Sequence, residues 1–244
     1  MVNDSASFAD SAADMDSFLT SGSKFLGNGG TVFKVRHKQT LALYALKVVH
    51  CDRGTPPNPQ ELNILRQSNS PYIVNCYQVF TAPSGEVSIL MEYMDNGSLE
   101  SYVKSHGRLS EDLIGTISRQ VLKGFVYMHS ENIVHRDIKS SNLLINRKKD
   151  TKIAYFGVSK IIRQCSERCS TPVGTYAYMS LERPGQKPDF PSLMLAICFG
   201  KPPSLPEYSS ENFRDFIKCC LQKDDPSKRW TASQLLSHPF LADA

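Results

Sequence analysis

The stretch HRDIKSSN, His135 to Asn142, combines residue types that the transfer of a phosphoryl group requires. Asp137 can accept the proton of an attacking hydroxyl, and Lys139 can neutralise the charge on the moving phosphate. Asn142 can reach a metal ion from the same loop. The alternative is a polar surface loop that matches by chance, but further motifs on both sides occur in the order that such a site needs. The stretch therefore predicts phosphoryl-transfer chemistry.

Glycines near the start of the chain offer a second part of such a site. The segment GNGGTV contains Gly27, Gly29 and Gly30 and leads into a β-branched run. Glycine allows backbone N–H groups to approach phosphate oxygens closely. The segment only partly matches the pattern G-x-G-x-x-G, and a glycine-rich hairpin turn explains it equally well.

Lys47 ends the apolar segment YALK and is a candidate for a buried cation. A buried ammonium group needs a partner, because leaving it unpaired is costly. Glu61, on the helix predicted next along the chain, could be that partner. The alternative is a lysine on an edge strand with its ammonium group in water.

Two regions of different character must position these residues. Residues 22–94 contain β-branched and aromatic runs and one short helix, PQELNILRQS, and they predict a small antiparallel β lobe. Residues 95–244 are predicted to be mostly helical, with a long helix that starts after Ser110. Residues 1–21 are rich in Ser, Ala and Asp and predict a disordered tail. The strands are predicted in TVFKVRH, LALYALKVV, PYIVNCYQVF and EVSILMEYM, and the later helices in SLMLAICFG, ENFRDFIKCCLQK and TASQLLSHPF.

The composition excludes several classes of protein. The net charge is +4 without a dense basic block, and the run RKK is typical of a solvated turn rather than a nucleic-acid contact. No apolar run approaches the roughly 18 residues of a membrane span, and the first residues do not resemble a signal peptide. The seven scattered cysteines lack metal-site spacing. We therefore expect reduced thiols in a cytoplasmic or nuclear protein, with no nucleic-acid or membrane partner.

Taken together, the motifs resemble those of protein kinases, and most closely those of plant MAP kinase kinases. The stretches that carry the resemblance include GNGGTVFKVRH, ALYALKVVH, ILMEYMDNGSLE, IVHRDIKSSNLLIN and LQKDDPSKRWTASQLLSHPF. The resemblance implies an α+β, bilobal protein-kinase-like fold with a small antiparallel β lobe and a helical C-terminal lobe. It also implies ATP and Mg²⁺ as cofactors, a MAP kinase as substrate, and an upstream MAP kinase kinase kinase as activator.

The resemblance also assigns nucleotide-binding roles to residues of the β lobe. Met91 is implied to be the gatekeeper beside the adenine. Glu92 and Met94 are implied to form the hinge whose backbone binds adenine. Val32 and Ala45 are implied to enclose the adenine ring.

The first departure from the family is Tyr155, which stands where kinases have the aspartate of D-F-G. That aspartate bridges the metal to the β- and γ-phosphates, and Mg²⁺ prefers anionic oxygen ligands. A phenol with a pKa of about 10 is neutral at pH 7. Losing one preorganised electrostatic group costs about 3–4 kcal/mol, or roughly 10²–10³ in rate. With Asn142 as the remaining ligand, weak Mg²⁺ binding is expected, unless Tyr155 is a tolerated or erroneous single change.

The second departure is a gap after Arg183, where the chain continues directly as PGQKPDF. The family has a segment containing D-x-W-S-x-G there, which forms the apolar central helix of the C-terminal lobe. We expect a C-terminal lobe that lacks this helix and is loosely packed or does not fold unaided. The resemblance still implies an ion pair between Glu182 and Arg229. Of two activation-segment phosphoacceptors, one position holds Cys165 and the other holds Thr171.

Three hypotheses follow for the function. The first is a MAP kinase kinase-like pseudokinase that binds nucleotide weakly and acts as a scaffold or decoy. The second is an active ATP-dependent dual-specificity kinase that phosphorylates a MAP kinase. The third is an unstable, truncated gene product.

Overall fold

The computed structural model describes residues 15–27, 30–49, 59–84, 86–154, 160–161, 205–222 and 225–242. The chain divides into two compact units, one from Met1–Asn69 and Val74–Met94, the other from Ser70–Ile73 and Asp95–Ala244. The first unit is rich in strands and the second in helices, so the predicted α+β class is confirmed. The predicted loss of the central helix concerns residues outside the described ranges.

An antiparallel sheet with the strand order β1-β2-β3-β5-β4 forms most of the first unit. The predicted hairpin is β2 and β3, and the predicted helix is α1, which packs beside β4. The elements are β1 (Phe18–Gly27), β2 (Gly30–His37), β3 (Leu43–Val49), α1 (Pro59–Gln67), β4 (Cys76–Thr81) and β5 (Val87–Glu92).

Strand β1 and the 3-10 turn Met15–Ser17 begin inside the predicted disordered tail, so the tail boundary at residue 21 requires correction. β1 is ordered by pairing with β2, where Phe18 lies opposite His37. The Phe18 ring also contacts the rings of Tyr44 and Phe80 at centroid distances of 5.7 and 6.4 Å. The Ser- and Asp-rich composition hides this single anchoring aromatic residue.

One face of the sheet carries the apolar core of the first unit. Buried residues from three strands meet there, and partly buried aromatic residues pack against them. The buried members of this cluster are Val35, Tyr44, Leu46 and Leu90. The opposite face of the sheet also carries buried residues, since Ile89, which lies opposite Lys47, is 0% exposed.

The predicted strand PYIVNCYQVF is shorter than expected, because only Cys76–Thr81 pairs in the sheet. Its first residues belong to the second unit instead, where Ile73 forms an isolated parallel bridge with Ile153. The Ile153 N–H also donates to the Tyr72 carbonyl at 2.9 Å. Long-range pairing thus overrides the local β propensity of this segment.

The second unit is built around α3, whose start at Ser110 is confirmed. The Ser110 hydroxyl accepts a hydrogen bond from the Leu113 N–H at 3.3 Å and caps the helix. None of the described helices is long and apolar enough to cross a membrane. The elements are α2 (Leu99–His106), α3 (Glu111–Ser130), β6 (Ile133–Val134), β7 (Leu143–Ile145), β8 (Thr151–Ile153), β9 (Lys160–Ile161), α4 (Glu211–Cys220) and α5 (Ala232–Leu235).

Helix α3 contacts two separate clusters. Ile117 packs with Tyr102 and Ile145 in one cluster. Leu122 lies in the other cluster, which contains the C-terminal helices and has Phe216, Cys219, Leu235 and Leu241 as its other buried members. The C-terminal helices therefore pack directly on α3.

Candidate active site

The strand register brings four predicted nucleotide-binding residues to one face of the first unit's sheet. Val32 pairs with Lys47, and Ala45 pairs with both Lys34 and Met91. Directly opposite residues of antiparallel strands, and every second residue along a strand, project to the same face. Val32, Ala45, Lys47 and Met91 therefore share the face opposite the apolar core; we call it the nucleotide face.

Lys47 is 8% exposed and lies on β3, between β2 and β5. The alternative of an edge lysine with its ammonium group in water is therefore wrong. The Glu61 side chain lies outside the described part of the structure, so its pairing with Lys47 stays a prediction.

Gly27 at the end of β1 lies opposite Gly30 at the start of β2, and the predicted phosphate-contacting Gly29 lies outside the described residues. A Cβ atom at Gly30 would lie 2.3 Å from the Val48 carbonyl oxygen. Glycine is therefore needed at position 30 because β3 approaches closely. The antiparallel pairing of β1 with β2 fits the hairpin interpretation, and the phosphate contact stays a prediction.

The predicted hinge has one backbone group already engaged. The Glu92 N–H donates to the Asn75 carbonyl at 3.0 Å, and the Glu92 carboxylate accepts from the Asn75 N–H at 3.4 Å. An adenine contact from Glu92 would therefore have to use its carbonyl oxygen. Met94 is buried at the end of this segment.

In the second unit, the three predicted catalytic-loop residues lie together. The Lys139 Nζ is 3.1 Å from the Asp137 Oδ2, and their side chains are 11% and 6% exposed. The Asn142 Nδ2 donates to the Asp137 carbonyl at 2.7 Å and to its Oδ2 at 3.0 Å. A buried ion pair is stable only when further hydrogen bonds satisfy its polar atoms, and Asn142 supplies one to the Asp137 carboxylate. The Asn142 Oδ1 is then the amide atom that could bind a cation.

The backbone of this loop is strained at Arg136, which has a φ of +69°. A left-handed backbone at a residue with a Cβ costs about 1–2 kcal/mol, and such strain occurs often at functional sites. The neighbouring His135 is buried, and its Nδ1 accepts from the Asp137 N–H at 3.3 Å. Because that nitrogen is an acceptor, the Nε2 carries the hydrogen in the neutral ring.

The loop also holds the residue before Tyr155 at both of its backbone groups. The His135 Nε2 lies 3.0 Å from the Ala154 carbonyl, and the Ala154 N–H donates to the Asn142 carbonyl at 2.9 Å. Tyr155 itself lies outside the described residues. Ala154, the residue before it in the sequence, is held by the loop that carries Asp137.

Gly124, which allows β8 to pack close to α3, was not identified in the sequence analysis. A Cβ atom at Gly124 of α3 would lie 2.8 Å from the Ile153 Cδ1 and 3.3 Å from the Tyr72 Cβ. The absence of a side chain there allows β8, which leads into Ala154, to pack close to α3. The available signal was a glycine inside a strongly periodic helix, which usually has a packing reason.

A group of metal-ligating residue types occurs elsewhere in the described part of the second unit, at Asp215, Cys219 and His238. The His238 Nδ1 accepts from the Phe240 N–H at 3.1 Å, and its Nε2 faces the Asp215 carboxylate at 3.2 Å. The neutral ring therefore carries its hydrogen on Nε2 and has no free lone pair for a metal.

Comparison with known proteins identifies the family. Residues 23–189 match the family model described as a protein kinase domain. Mitogen-activated protein kinase kinase 9 of Arabidopsis thaliana is 46% identical over 96% of this chain and 86% of its own length. Mitogen-activated protein kinase kinase 7 of the same plant is 46% identical over 89% of this chain and 82% of its own length. Mitogen-activated protein kinase kinase 8 is 43% identical over 98% of this chain and 86% of its own length. The chain therefore belongs to the protein kinase family and, within it, to the mitogen-activated protein kinase kinases.

Proposed function

We propose that the chain binds an adenine nucleotide, transfers its γ-phosphate weakly or not at all, and acts in the cytoplasm as a scaffold or decoy in a MAP kinase cascade. Protein kinase domains in general use ATP and Mg²⁺. The partners that fit this proposal are a MAP kinase and an upstream MAP kinase kinase kinase, because the relatives are MAP kinase kinases by name.

One observation carries the proposal: Tyr155 stands where the family has a carboxylate, directly after Ala154, which is hydrogen-bonded to the catalytic loop. Asp137 is held by Lys139 and Asn142, so its carboxylate has the partners that a proton acceptor in this loop needs. Two hydrogen bonds join Ala154, the residue before Tyr155 in the sequence, to the same loop. The rate of γ-phosphate transfer then depends on the chemistry of the side chain at position 155.

The donor set does not fit a Mg²⁺ site of the usual kind. Mg²⁺ in phosphotransferases is held by one or two carboxylates together with phosphate oxygens. Here the neutral Asn142 Oδ1 is the candidate oxygen ligand from the loop, and the second position is a phenol in the sequence. The Asp137 carboxylate forms an ion pair with Lys139 and accepts a hydrogen bond from the Asn142 amide. This donor set supports weak cation binding.

Two results of the comparisons support a gap in the C-terminal lobe. The alignment with mitogen-activated protein kinase kinase 9 spans 273 positions and covers 96% of this 244-residue chain, or about 234 residues, so about 39 positions of the alignment have no counterpart here. The match to the family model ends at residue 189, shortly after the predicted junction at Arg183. A gap at the predicted junction would shorten the substrate-binding region, which would favour a scaffold over a kinase.

The test is phosphorylation of a catalytically inactive MAP kinase in the presence of ATP and Mg²⁺, measured by mass spectrometry. The wild type is expected to match Asp137→Asn. Tyr155→Asp is expected to raise the rate by about 10²–10³, and adding Asp137→Asn to that variant should remove the gain. The double variant is the matched control, since it restores the metal ligand without the proton acceptor.

A second candidate is an active dual-specificity kinase, and the intact geometry around Asp137 favours it. The wild type would then phosphorylate the activation-loop Thr and Tyr of the substrate robustly, and Asp137→Asn would abolish this activity. That result would establish this candidate and overturn the proposal.

A third candidate is an unstable product. The packing of the C-terminal helices on α3 argues against it, and non-cooperative unfolding would support it.

A further inference from the structure

Lys34 and Tyr93 form a cation–π pair on the nucleotide face of the first unit. The Lys34 Nζ lies 4.8 Å from the centroid of the Tyr93 ring, within the range of an attractive contact. Both side chains are half-buried. Tyr93 lies between Glu92 and Met94, in the middle of the predicted hinge. The pair therefore links β2 directly to the hinge.

The register shows how this link crosses the sheet. Lys34 lies opposite Ala45 on β3, and Ala45 lies opposite Met91 on β5. Neighbouring strands are about 4.8 Å apart, so β2 and β5 are separated by roughly 10 Å. The side chains of Lys34 and Tyr93 together bridge β3 near Ala45, whose small side chain leaves room for them.

We infer that Lys34 is a positioning residue for adenine nucleosides and nucleotides. Its ammonium group holds the Tyr93 ring, and the ring in turn orients the backbone of Glu92 and Met94. Because the Glu92 N–H is bonded to Asn75, the remaining hinge groups must be oriented correctly to bind adenine. The inference rests on the proposed function, since it assumes that an adenine ligand occupies the nucleotide face.

Lys34 is remote from the predicted phosphate contacts. It lies four residues after Gly30 on β2, which corresponds to about 13 Å along an extended strand. Its effect should therefore act on the nucleoside part of a ligand. Adenosine and ADP should depend on Lys34 to the same degree.

The test is isothermal titration calorimetry of the full chain with adenosine and with ADP, both without Mg²⁺. Lys34→Met and Tyr93→Leu are each expected to raise the Kd of both ligands about 2–5-fold. The Kd of the double variant should be no higher than the higher of the two single-variant Kd values, because the two residues act as one unit. Lys34→Arg retains a cation and should remain close to wild type. Lys38→Met removes an exposed lysine from the neighbouring turn and should change neither Kd.

Each other outcome has a defined meaning. An unchanged Kd in Lys34→Met overturns the inference and leaves the proposed function standing. Weakening of ADP alone indicates a direct phosphate contact and also overturns it, as do additive effects in the double variant. A wild type that binds neither ligand overturns the inference and the proposed function together. Urea midpoints separate loss of folding from loss of binding, and Tyr93→Leu supplies a second variant if Lys34→Met does not fold.

Discussion

Leu241 provides a direct test of whether the C-terminal helices belong to one packed unit with α3. It is 1% exposed and lies in the cluster that joins Leu122 of α3 to Phe216 and Leu235. Leu→Ala substitutions in such cores cost about 2–5 kcal/mol, because apolar contacts are lost and a cavity remains. Against a typical net stability of about 5–15 kcal/mol, this loss is large. Leu241→Ala is therefore expected to lower the urea midpoint by roughly 1 M or more.

The matched control is Leu221→Ala, which removes the same atoms from a side chain that is 45% exposed and leaves no closed cavity. Its free energy of unfolding should fall by less than about 1 kcal/mol. Unfolding is followed by circular dichroism in urea, with equal slopes required for the comparison. Equal midpoints for the two variants would refute the packing argument. They would also favour the unstable-product hypothesis, because the C-terminal helices would then lie outside the cooperative unit.

Three further predictions concern single groups. Gly30→Ala places a Cβ 2.3 Å from the Val48 carbonyl oxygen; it should lower the free energy of unfolding in urea by about 1–3 kcal/mol, and an unchanged midpoint would contradict this. Burial raises the pKa of Cys220 to about 11, so at pH 8 about one thiol in a thousand is ionised. Its alkylation by iodoacetamide, followed by mass spectrometry, should be about 100-fold slower than that of a model peptide thiol, and similar rates would refute it. Hydrogen bonds from the Ser210 hydroxyl and N–H lower the pKa of Glu111 below 4.5. This contribution to stability is present above the ordinary pKa and is lost as the pH falls through the lowered one. The stability difference between wild type and Glu111→Gln should therefore shrink from pH 7 to pH 3 in urea unfolding, and a constant difference would exclude the effect.

Several elements were predictable because their signals are local. The start of α3 follows from Ser110 and the acidic residues after it, since capping involves groups within one helical turn. The hairpin of β2 and β3 follows from two β-branched runs around a polar turn. The close grouping of Asp137, Lys139 and Asn142 was predictable because the three residues lie in one short loop.

Other features were not predictable because they depend on contacts far along the chain. Strand β1 is stabilised by the packing of Phe18 on residues of other strands, which a Ser- and Asp-rich segment does not signal. The segment around Ile73 has a strand-like composition, but it lies outside β4 and forms an isolated bridge with Ile153. The glycine at position 124 is explained by the close approach of β8, which contains Ile153. Helix propensity alone does not reveal this contact.

The sequence by itself determined the chemical groups that the chain can use, including the phenol of Tyr155 in place of a carboxylate. Only the tertiary structure decided that Val32, Ala45, Lys47 and Met91 share one face, and that the Asn142 amide nitrogen is committed to the Asp137 carboxylate. The reason is physical: residue type and spacing are local properties, whereas strand register and hydrogen-bond orientation come from the simultaneous packing of distant segments.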